Sequence, residues 1–236
     1  MTVVATLLAT LASVLVTGAS LYLIEGTVSP VGLLLSGVIP ILLAPLSLYN
    51  NFKLVHRLGI TEEQLRLLSH TDDLTQTFNR RYFMEHATHE FDRSRRYGNP
   101  FSIAIMDLDN FKDINDGHSH LAGDAALKHV AQLCLDNLRL MDIFARYGGD
   151  EFVFLFPETG AAQAEECLRR ILDAMNHTRF EFNDKVIPVR ASIGVSVFQT
   201  SMTDFDELLR EADFALYAAK HQGGMRVIAH RTLTEV

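Results

Sequence analysis

Basic residues and cysteines are both scarce in this chain of 236 residues. Its two cysteines, Cys134 and Cys167, are far apart and match no metal-ligand spacing. A disulfide framework or a cysteine metal site is therefore not expected, and buried reduced thiols are the simplest interpretation. The first 57 residues hold two basic residues and one acid, which leaves 19 basic and 28 acidic side chains in the remainder, a net charge of −9. That balance argues against a nucleic-acid surface.

Two long runs without a charged residue stand near the N-terminus. Val3 to Ile24 comprises 22 residues, and Val31 to Tyr49 comprises 19. Because a helix needs about 20 apolar residues to cross a bilayer, residues 1–49 are predicted to form a two-helix transmembrane hairpin joined by the short connector EGTVSP. The alternative is a cleaved secretory signal, which the missing basic leader, the length of the apolar core and the second run disfavour.

The charges beside these runs predict an orientation. Lys53, Arg57 and Arg66 follow the second run, whereas the connector holds only Glu25. Basic residues stay on the cytoplasmic side of a membrane. We therefore expect a multi-pass protein of the inner membrane, with the C-terminal part of the chain in the cytoplasm.

Residues 50–70 are predicted to form a helical connector. Leu54, Leu58, Leu65 and Leu68 suggest an apolar stripe, interrupted at Gly59 and capped again at Thr61. Two interpretations fit this stripe equally well: a short coiled coil between two protomers, or a helix packed on its own domain.

Residues 71–236 alternate between helical and strand patterns and predict an α+β domain. Phe101 to Leu108 is apolar on both faces, which is typical of a central strand. The other predicted strands are 142–147, 151–156, 189–198 and 226–229, and the predicted helices are 79–96, 121–138, 161–176 and 204–222. The glycine turn between residues 147 and 151 indicates one hairpin within the alternating order.

Paired acids stand at the start of one of these strands, in the stretch RYGGDEFVFLF. Gly148 and Gly149 permit the positive φ values of a tight hairpin turn and leave room for a ligand near the backbone. Asp150 and Glu151 follow at once. A solvated surface turn with incidental acids would be the default interpretation if this stretch stood alone.

A second acidic stretch, MDLDNFKDIND, changes that interpretation. Asp107 and Asp109 end a buried strand, where like charges are costly unless a cation holds them. If this strand lies beside the hairpin, Asp107 and Asp150 can converge. Carboxylates without His or Cys suit Mg²⁺, and two such ions would stabilise the attacking and leaving oxygens of a phosphoryl transfer. Lys112 follows at a helix start, which favours phosphate.

Five ordered motifs carry a resemblance to a known family. They are DLDNFKDIND, HLAGD, RYGGDEF, ASIGVS and ADFALYAAK, preceded by DDLTQTFNRR at residues 72–81. Together they resemble the GGDEF family of diguanylate cyclases over residues 70–230. The resemblance implies a palm-like (nucleotidyl cyclase-like) fold with a central, mainly antiparallel sheet flanked by helices. It also implies an enzyme that joins two GTP molecules into cyclic di-GMP and releases two pyrophosphates.

The resemblance further implies roles for individual residues. Asp107, Asp150 and the Leu108 carbonyl would hold two Mg²⁺ or Mn²⁺ ions per active site. Asp150 or Glu151 would help to deprotonate or orient the attacking 3′-hydroxyl. The implied substrate-binding residues are Asn115 and Asp124 at the guanine edge, His120 near the substrate, and Lys112 and Lys220 at the β- and γ-phosphates.

A separate inhibitory site is implied by the sequence RLMD. Arg139 and Asp142 match the spacing of the family's RxxD site, where the product binds away from the catalytic centre, and Arg146 is expected to assist. His118 and His120 lie two residues apart without a third ligand in sight, so they are interpreted as loop residues rather than zinc ligands.

The sequence departs from the family pattern at three positions. Ser119 and Gln76 each replace a common glycine, and Gly224 stands where an arginine commonly follows the lysine by four. Arg226 is close to that position but displaced by two residues, so one phosphate contact is in question. None of the three changes removes a metal ligand.

Three functions fit these observations. The first is an active, product-inhibited cyclase, and the second is a non-catalytic receptor that binds cyclic di-GMP through RxxD, which the intact acids disfavour. The third is a cyclase with relaxed nucleotide choice, which Asn115 and Asp124 disfavour. Because one domain supplies half of a site for two GTP molecules, activity is expected to need a homodimer.

Overall fold

The computed structural model describes residues 2–25, 27, 29–38, 53 and 70–230. The chain divides into two compact units, Met1–Ser69 and His70–Val236. In the first unit, helix α1 spans Thr2–Glu25 and residues 30–38 are also helical. Gly18 lies near Leu33, and Gly37 lies near Val14, so these two helical segments run antiparallel and approach each other at glycines.

The predicted pair of transmembrane helices is not supported. Within the described residues of the chain, no helix is long and apolar enough to cross a membrane. Most of the second charge-free run lies outside those residues, and so does the predicted helical connector with its leucine stripe, apart from Lys53 and His70.

The second unit is built on a six-stranded mixed sheet. Its strands are β1 (Phe78–Asn79), β2 (Ser102–Leu108), β3 (Ile143–Gly148), β4 (Glu151–Phe156), β7 (Ala191–Val197) and β8 (Val227–Ala229), and β5 (Phe180–Phe182) and β6 (Lys185–Ile187) form a separate hairpin. The order of the strands in the sheet is β1-β3-β4-β2-β7-β8. The four central strands pair antiparallel, whereas the two edge strands, β1 and β8, pair parallel with their neighbours. The α+β fold with a mainly antiparallel sheet is confirmed.

Five helices of this unit complete the fold: α2 (Arg80–Tyr97), α3 (Phe111–Gly117), α4 (His120–Asp136), α5 (Ala161–His177) and α6 (Phe205–His221). Local caps set their ends. The Asn79 side chain accepts a hydrogen bond from the Tyr82 N–H at the start of α2, and Asp204 does the same for Glu207 at the start of α6. Gly98, with a φ of 76°, ends α2 in the left-handed conformation that glycine favours.

The alternation of side chains along the central strands sorts them onto two cores. Met106 and Leu108 of β2 join the core under α4 and α5, whereas Ile103 and Ile105 join the core under α2 and α6. Successive strand residues point to opposite faces, so Asp107 shares the face of Ile105. The same rule puts Glu151 of β4 on the face of α2 and α6.

Helix α6 lies unusually close to β7. A Cβ atom placed on Gly194 would lie 2.1 Å from both the Ala212 carbonyl oxygen and the Leu216 nitrogen. Only glycine fits at this crossing, since any side chain would push the helix from the sheet. Because α6 carries Lys220 in its last turn, this packing fixes how far Lys220 reaches over the strand ends.

The small hairpin β5–β6 was missing from the sequence prediction. Its turn residues Asn183 and Asp184 have φ values of 50° and 60°, the left-handed pair of a type I′ turn, which Asn and Asp tolerate. The dipeptide was a usable turn signal. The strands of three residues on each side are too short for an alternating pattern to stand out.

Candidate active site

Three acidic side chains meet at one end of the central sheet. Asp107 of β2 lies opposite Glu151 of β4 in the antiparallel register. Asp150 occupies the turn between β3 and β4, next to Gly149 with its φ of 54°, and its carbonyl accepts a hydrogen bond from the Leu108 N–H at 3.4 Å. The structure thus brings together the acids of the two stretches that the sequence analysis joined.

The turn that carries Asp150 is held by Arg146. The Arg146 guanidinium donates to the Gly149 carbonyl from Nε at 2.9 Å and from Nη2 at 2.7 Å. Its Nη1 atom donates to both carboxylate oxygens of Asp72, at 3.2 and 3.4 Å. Arg146 therefore ties the segment that leads into the domain to the turn at the strand ends.

Burial and repulsion between neighbouring carboxylates raise the pKa values of two of these acids. Burial raises the pKa of Asp107, and the charges of Asp150 and Asp109 raise it further. The Lys220 ammonium, which lies 2.7 Å from Asp107 Oδ1, acts in the opposite direction and lowers this pKa. Burial also raises the pKa of Glu151, with Asp107 and Asp150 adding to the effect. A cation between these groups would relieve that repulsion.

The donor set suits a hard divalent cation. The Asp107 and Asp150 carboxylates and the Leu108 carbonyl offer oxygen atoms, which Mg²⁺ prefers, and Mg²⁺ commonly binds one or two carboxylates while keeping several waters. Among the described side chains, no group of three or more His, Cys, Asp or Glu is placed to hold a metal. The two carboxylates fit an ion that takes its remaining ligands from water and substrate phosphates.

A cavity of about 430 Å³ opens beside the acids. Its floor is Asp109, whose carboxylate accepts hydrogen bonds from the Ser192 hydroxyl at 2.7 Å and the Met225 N–H at 3.1 Å. The lining residues are Asp107, Asp109, Asn110, Arg190, Lys220, Gly223, Gly224 and Met225. Lys220 therefore contacts Asp107 and also borders the cavity, a position from which its ammonium can reach a bound phosphate.

The predicted guanine-contacting residues lie at the junction of α3 and α4. A Cβ on Gly123 would lie 2.1 Å from the Asn115 Oδ1 atom, so Asn115 packs against the turn of α4 that carries Asp124. Lys112 and His120 are exposed near the starts of the two helices. Ser119, which replaces a common glycine, caps α4 by accepting a hydrogen bond from the Ala122 N–H at 3.2 Å.

The RLMD segment forms a turn just before β3. The Asp142 carboxylate accepts a hydrogen bond from the Arg139 backbone N–H at 2.9 Å, and the Asp142 N–H donates to the Arg139 carbonyl at 3.1 Å. Burial raises the pKa of Asp142. Within residues 70–230, the Arg139 guanidinium forms no hydrogen bond or ion pair and is exposed, so it is available to a ligand.

The contacts of Arg146 differ from the sequence expectation. Arg146 was expected to assist Arg139 and Asp142, but its hydrogen bonds go to Asp72 and Gly149. The reason is strand pairing: β1 lies beside β3 with Asn79 opposite Arg146, which brings the segment before β1 within reach. Arg190 and Gly194 were not predicted from the sequence. The motifs RYGGDEF and ASIGVS contain Arg146 and Gly194, but no local pattern indicates which distant residues these two contact.

Comparisons with known proteins show which family this domain belongs to. The family model described as "Diguanylate cyclase, GGDEF domain" matches residues 69–226. The chain belongs to the GGDEF family of diguanylate cyclases. The acids at the strand ends, the cavity and the RLMD turn described above all lie within the part of the chain that this GGDEF domain occupies.

Individual relatives resemble this GGDEF domain at moderate identity. The probable diguanylate cyclase DgcC of Escherichia coli (strain K12) is 33% identical over 176 residues, which is 75% of this chain and 47% of DgcC. The chain thus spans about half the length of that curated relative. The solved structure of diguanylate cyclase SiaD from Pseudomonas aeruginosa in complex with its activator SiaC matches with a TM-score of 0.66 at 30% identity, and the match covers 84% of this chain and 76% of that chain. The structure of the coiled coil and GGDEF domain of DgcB from Caulobacter crescentus in complex with c-di-GMP also matches with a TM-score of 0.66, at 27% identity, and covers 78% of this chain and 98% of that chain.

Proposed function

We propose that this chain condenses two GTP molecules into cyclic di-GMP and releases two pyrophosphates. The observation that carries the proposal is the meeting of Asp107, Asp150 and Glu151 at adjacent strand ends, with Lys220 beside them over an open cavity. Family membership and the names of the relatives support the same reaction.

The residues of the chain divide the chemistry among them. Glu151, whose pKa is raised by burial and by its acidic neighbours, is suited to accept or orient the proton of the attacking 3′-hydroxyl. Lys220 would hold the leaving phosphates by charge. Diguanylate cyclases of this family are metal-dependent, and a Mg²⁺ or Mn²⁺ pair held by Asp107, Asp150 and the Leu108 carbonyl would neutralise charge on the phosphates.

The test is the product formed from GTP by the full-length chain with Mg²⁺. Asp150→Ala should lower turnover by at least about 100-fold, because losing a group that acts in the transition state costs several kcal/mol. Asp173→Ala, an exposed acid on α5, is the matched control and should retain the wild-type rate. Robust cyclic di-GMP synthesis by the Asp150 variant would contradict the assignment.

Asn115 and Asp124 support a preference for guanine. A carboxylate accepts hydrogen bonds from the N1–H and N2–H₂ edge that adenine lacks, and a site left with unpaired polar groups discriminates strongly. Asp124→Ala should raise the KM for GTP and reduce the GTP-to-ATP preference. An unchanged ratio of kcat/KM values for the two nucleotides would refute this role.

Two protomers are proposed to form one reaction centre, because each chain supplies one set of acids for a product made of two nucleotides. Specific activity should then rise with protein concentration until the dimer is populated. Full activity per chain at concentrations where light scattering shows only monomer would contradict this.

Product bound at Arg139 and Asp142 is proposed to inhibit the pair of protomers.

The N-terminal unit is proposed to anchor the domain to the inner membrane, with the catalytic domain in the cytoplasm. The support is the charge-free sequence runs and the exposed apolar side chains of the first unit, which include Leu15, Leu23, Ile24 and Leu34. Membrane floatation of the full-length chain, followed by washing at high salt and high pH, tests the proposal. Quantitative release into the wash would rule out an integral anchor.

A further inference from the structure

The cavity beside the acids has two cationic and two anionic side chains, and the acids have partners within the protein. Asp107 is paired with the Lys220 ammonium at 2.7 Å. Asp109 accepts hydrogen bonds from Ser192 and the Met225 backbone. Both carboxylates thus have partners within the protein other than the second cationic side chain of the lining.

That second cation is Arg190, the residue before β7. Its carbonyl accepts a hydrogen bond from the Asp109 N–H at 2.8 Å, which fixes its backbone at the cavity wall. Its side chain lines this cavity and also a neighbouring one of about 320 Å³. Across residues 70–230, the Arg190 guanidinium forms no hydrogen bond and no ion pair, and Arg190 is exposed, so all of its donors face a ligand or water.

The glycine-rich turn on the opposite side of the cavity cannot readily supply a cation from position 224. Gly224 has a φ of 72°, in the left-handed region, and a Cβ there would lie 3.0 Å from Asp109 Oδ2. Any larger residue would be strained in this backbone conformation and would press on the Asp109 carboxylate. The turn closes on Asp109 because residue 224 is glycine.

Arg226, the other basic residue of this turn, is already engaged. Its Nε atom donates to the Gly224 carbonyl at 3.1 Å, and its Nη1 atom donates to Gln222 Oε1 at 3.4 Å. It is also absent from the residues that line the described cavity. Of the two arginines near the strand end, Arg190 is therefore the one whose guanidinium is both free and in the cavity wall.

We propose that Arg190 binds the terminal phosphates of the nucleotide together with Lys220 and supplies the contact that residue 224 cannot make. The identity of the nucleotide as GTP rests on the proposed function. A guanidinium presents a planar fork of donors that matches two phosphate oxygens. Residue 190 thus becomes a determinant of how tightly the triphosphate part of the substrate is held.

The test measures binding without turnover. The ligands are GMP and a GTP analogue with a methylene group between the α- and β-phosphates, titrated into the full-length chain with Mg²⁺. Arg190→Ala should weaken the binding of the analogue by about 10- to 100-fold, as expected for the loss of charge-assisted hydrogen bonds. The affinity for GMP should change by no more than about twofold, since GMP has no terminal phosphates for Arg190 to contact. Arg190→Lys should fall between the wild type and Arg190→Ala.

Arg226→Ala is the matched control, because it removes an exposed arginine from the same edge and should change neither affinity. Equal analogue binding by wild type and Arg190→Ala would overturn the proposal, and so would an equal loss for the analogue and GMP. The melting temperature of each variant is measured to check that it folds. If Arg190→Ala does not fold, Arg190→Gln takes its place. If the chain bound the analogue through Arg190 but formed no cyclic di-GMP from GTP, the proposed function would fail while the role of Arg190 stood.

Discussion

An arginine–aspartate pair lies near each end of strand β3, Arg146 with Asp72 near one end and Arg139 with Asp142 just before the other, but the two pairs are built differently. At one end, the Arg146 guanidinium bonds directly to the Asp72 carboxylate, and both side chains are largely shielded, 16% and 24% exposed. At the other end, Asp142 bonds to the backbone of Arg139 and leaves the guanidinium free. The same two residue types therefore make a structural clamp in one place and leave an exposed guanidinium in the other.

The largest expected effect separates the two arginines by rate. Arg146→Ala should lower the initial rate of cyclic di-GMP synthesis by about 10- to 100-fold, because it removes charge-assisted hydrogen bonds that hold the turn carrying Asp150. Arg139→Ala should leave the initial rate unchanged. Rates are measured at low conversion, where product does not accumulate, and equal losses in the two variants would break the comparison.

Product inhibition should show the opposite ranking. Arg139→Ala should raise the concentration of added cyclic di-GMP that halves the rate by about tenfold or more, since a free guanidinium that binds phosphate or a guanine edge contributes about 1.5–3 kcal/mol. Arg139→Lys tests whether charge alone suffices. Inhibition at an unchanged product concentration would make RLMD an ordinary surface turn.

The two aspartates should shift stability with pH in opposite directions. Burial alone would raise the pKa of Asp72, but hydrogen bonds from Thr75 and the charge and hydrogen bonds of Arg146 hold it below its usual value. Its contribution to stability is therefore present above the unfolded pKa of about 3.9 and is lost as the pH falls through the lower folded pKa. For Asp142 the folded pKa is raised, so its ionisation costs stability as the pH rises from about 3.9 through the folded value.

Urea unfolding between pH 3 and pH 7 measures this difference. The stability advantage of the wild type over Asp72→Asn should grow as the pH rises, whereas its advantage over Asp142→Asn should shrink. Parallel trends for the two variants would show that the pairs do not differ in the way the structure indicates.

The smallest expected effect concerns the turn that presents Asp72. Gln76 has a φ of 58°, and a non-glycine residue in this region costs roughly 1–2 kcal/mol. Gln76→Gly should raise the free energy of unfolding by about 0.5–1 kcal/mol, because the extra freedom of glycine in the unfolded chain offsets part of the gain. Thermal unfolding of the full chain measures it, with the exposed Gln163→Gly on α5 as a control that should destabilise.

Much of the GGDEF domain could be predicted from its sequence because the relevant signals are local. The apolar run of β2 and the glycine turn before Glu151 each predicted an element that the structure contains. Asp107, near the end of β2, and Asp150, in the turn before β4, could be expected to converge on the condition that β2 lies beside this hairpin, and the structure has that pairing. The roles of Lys112, Asn115, His120 and Asp124 in binding substrate stay predictions.

The partners of arginine and glycine residues could not be predicted in the same way. Arg146 and Asp72 are separated by 74 positions, and only the pairing of β1 with β3 brings them together. Gly194 lies in a strand pattern that looks ordinary, and its role appears only where α6 crosses it. Arg190 gives no signal at all until the surrounding carboxylates are seen to have other partners.

By itself, the sequence determined the longer helices and strands of the second unit and placed the acids near strand ends, because periodicity and turn chemistry act between near neighbours in the chain. The tertiary structure decided which of several similar charges is satisfied inside the protein and which is left for a ligand. That choice depends on distances of about 3 Å between residues far apart in sequence, and such distances exist only once the sheet has formed and α6 has packed on Gly194.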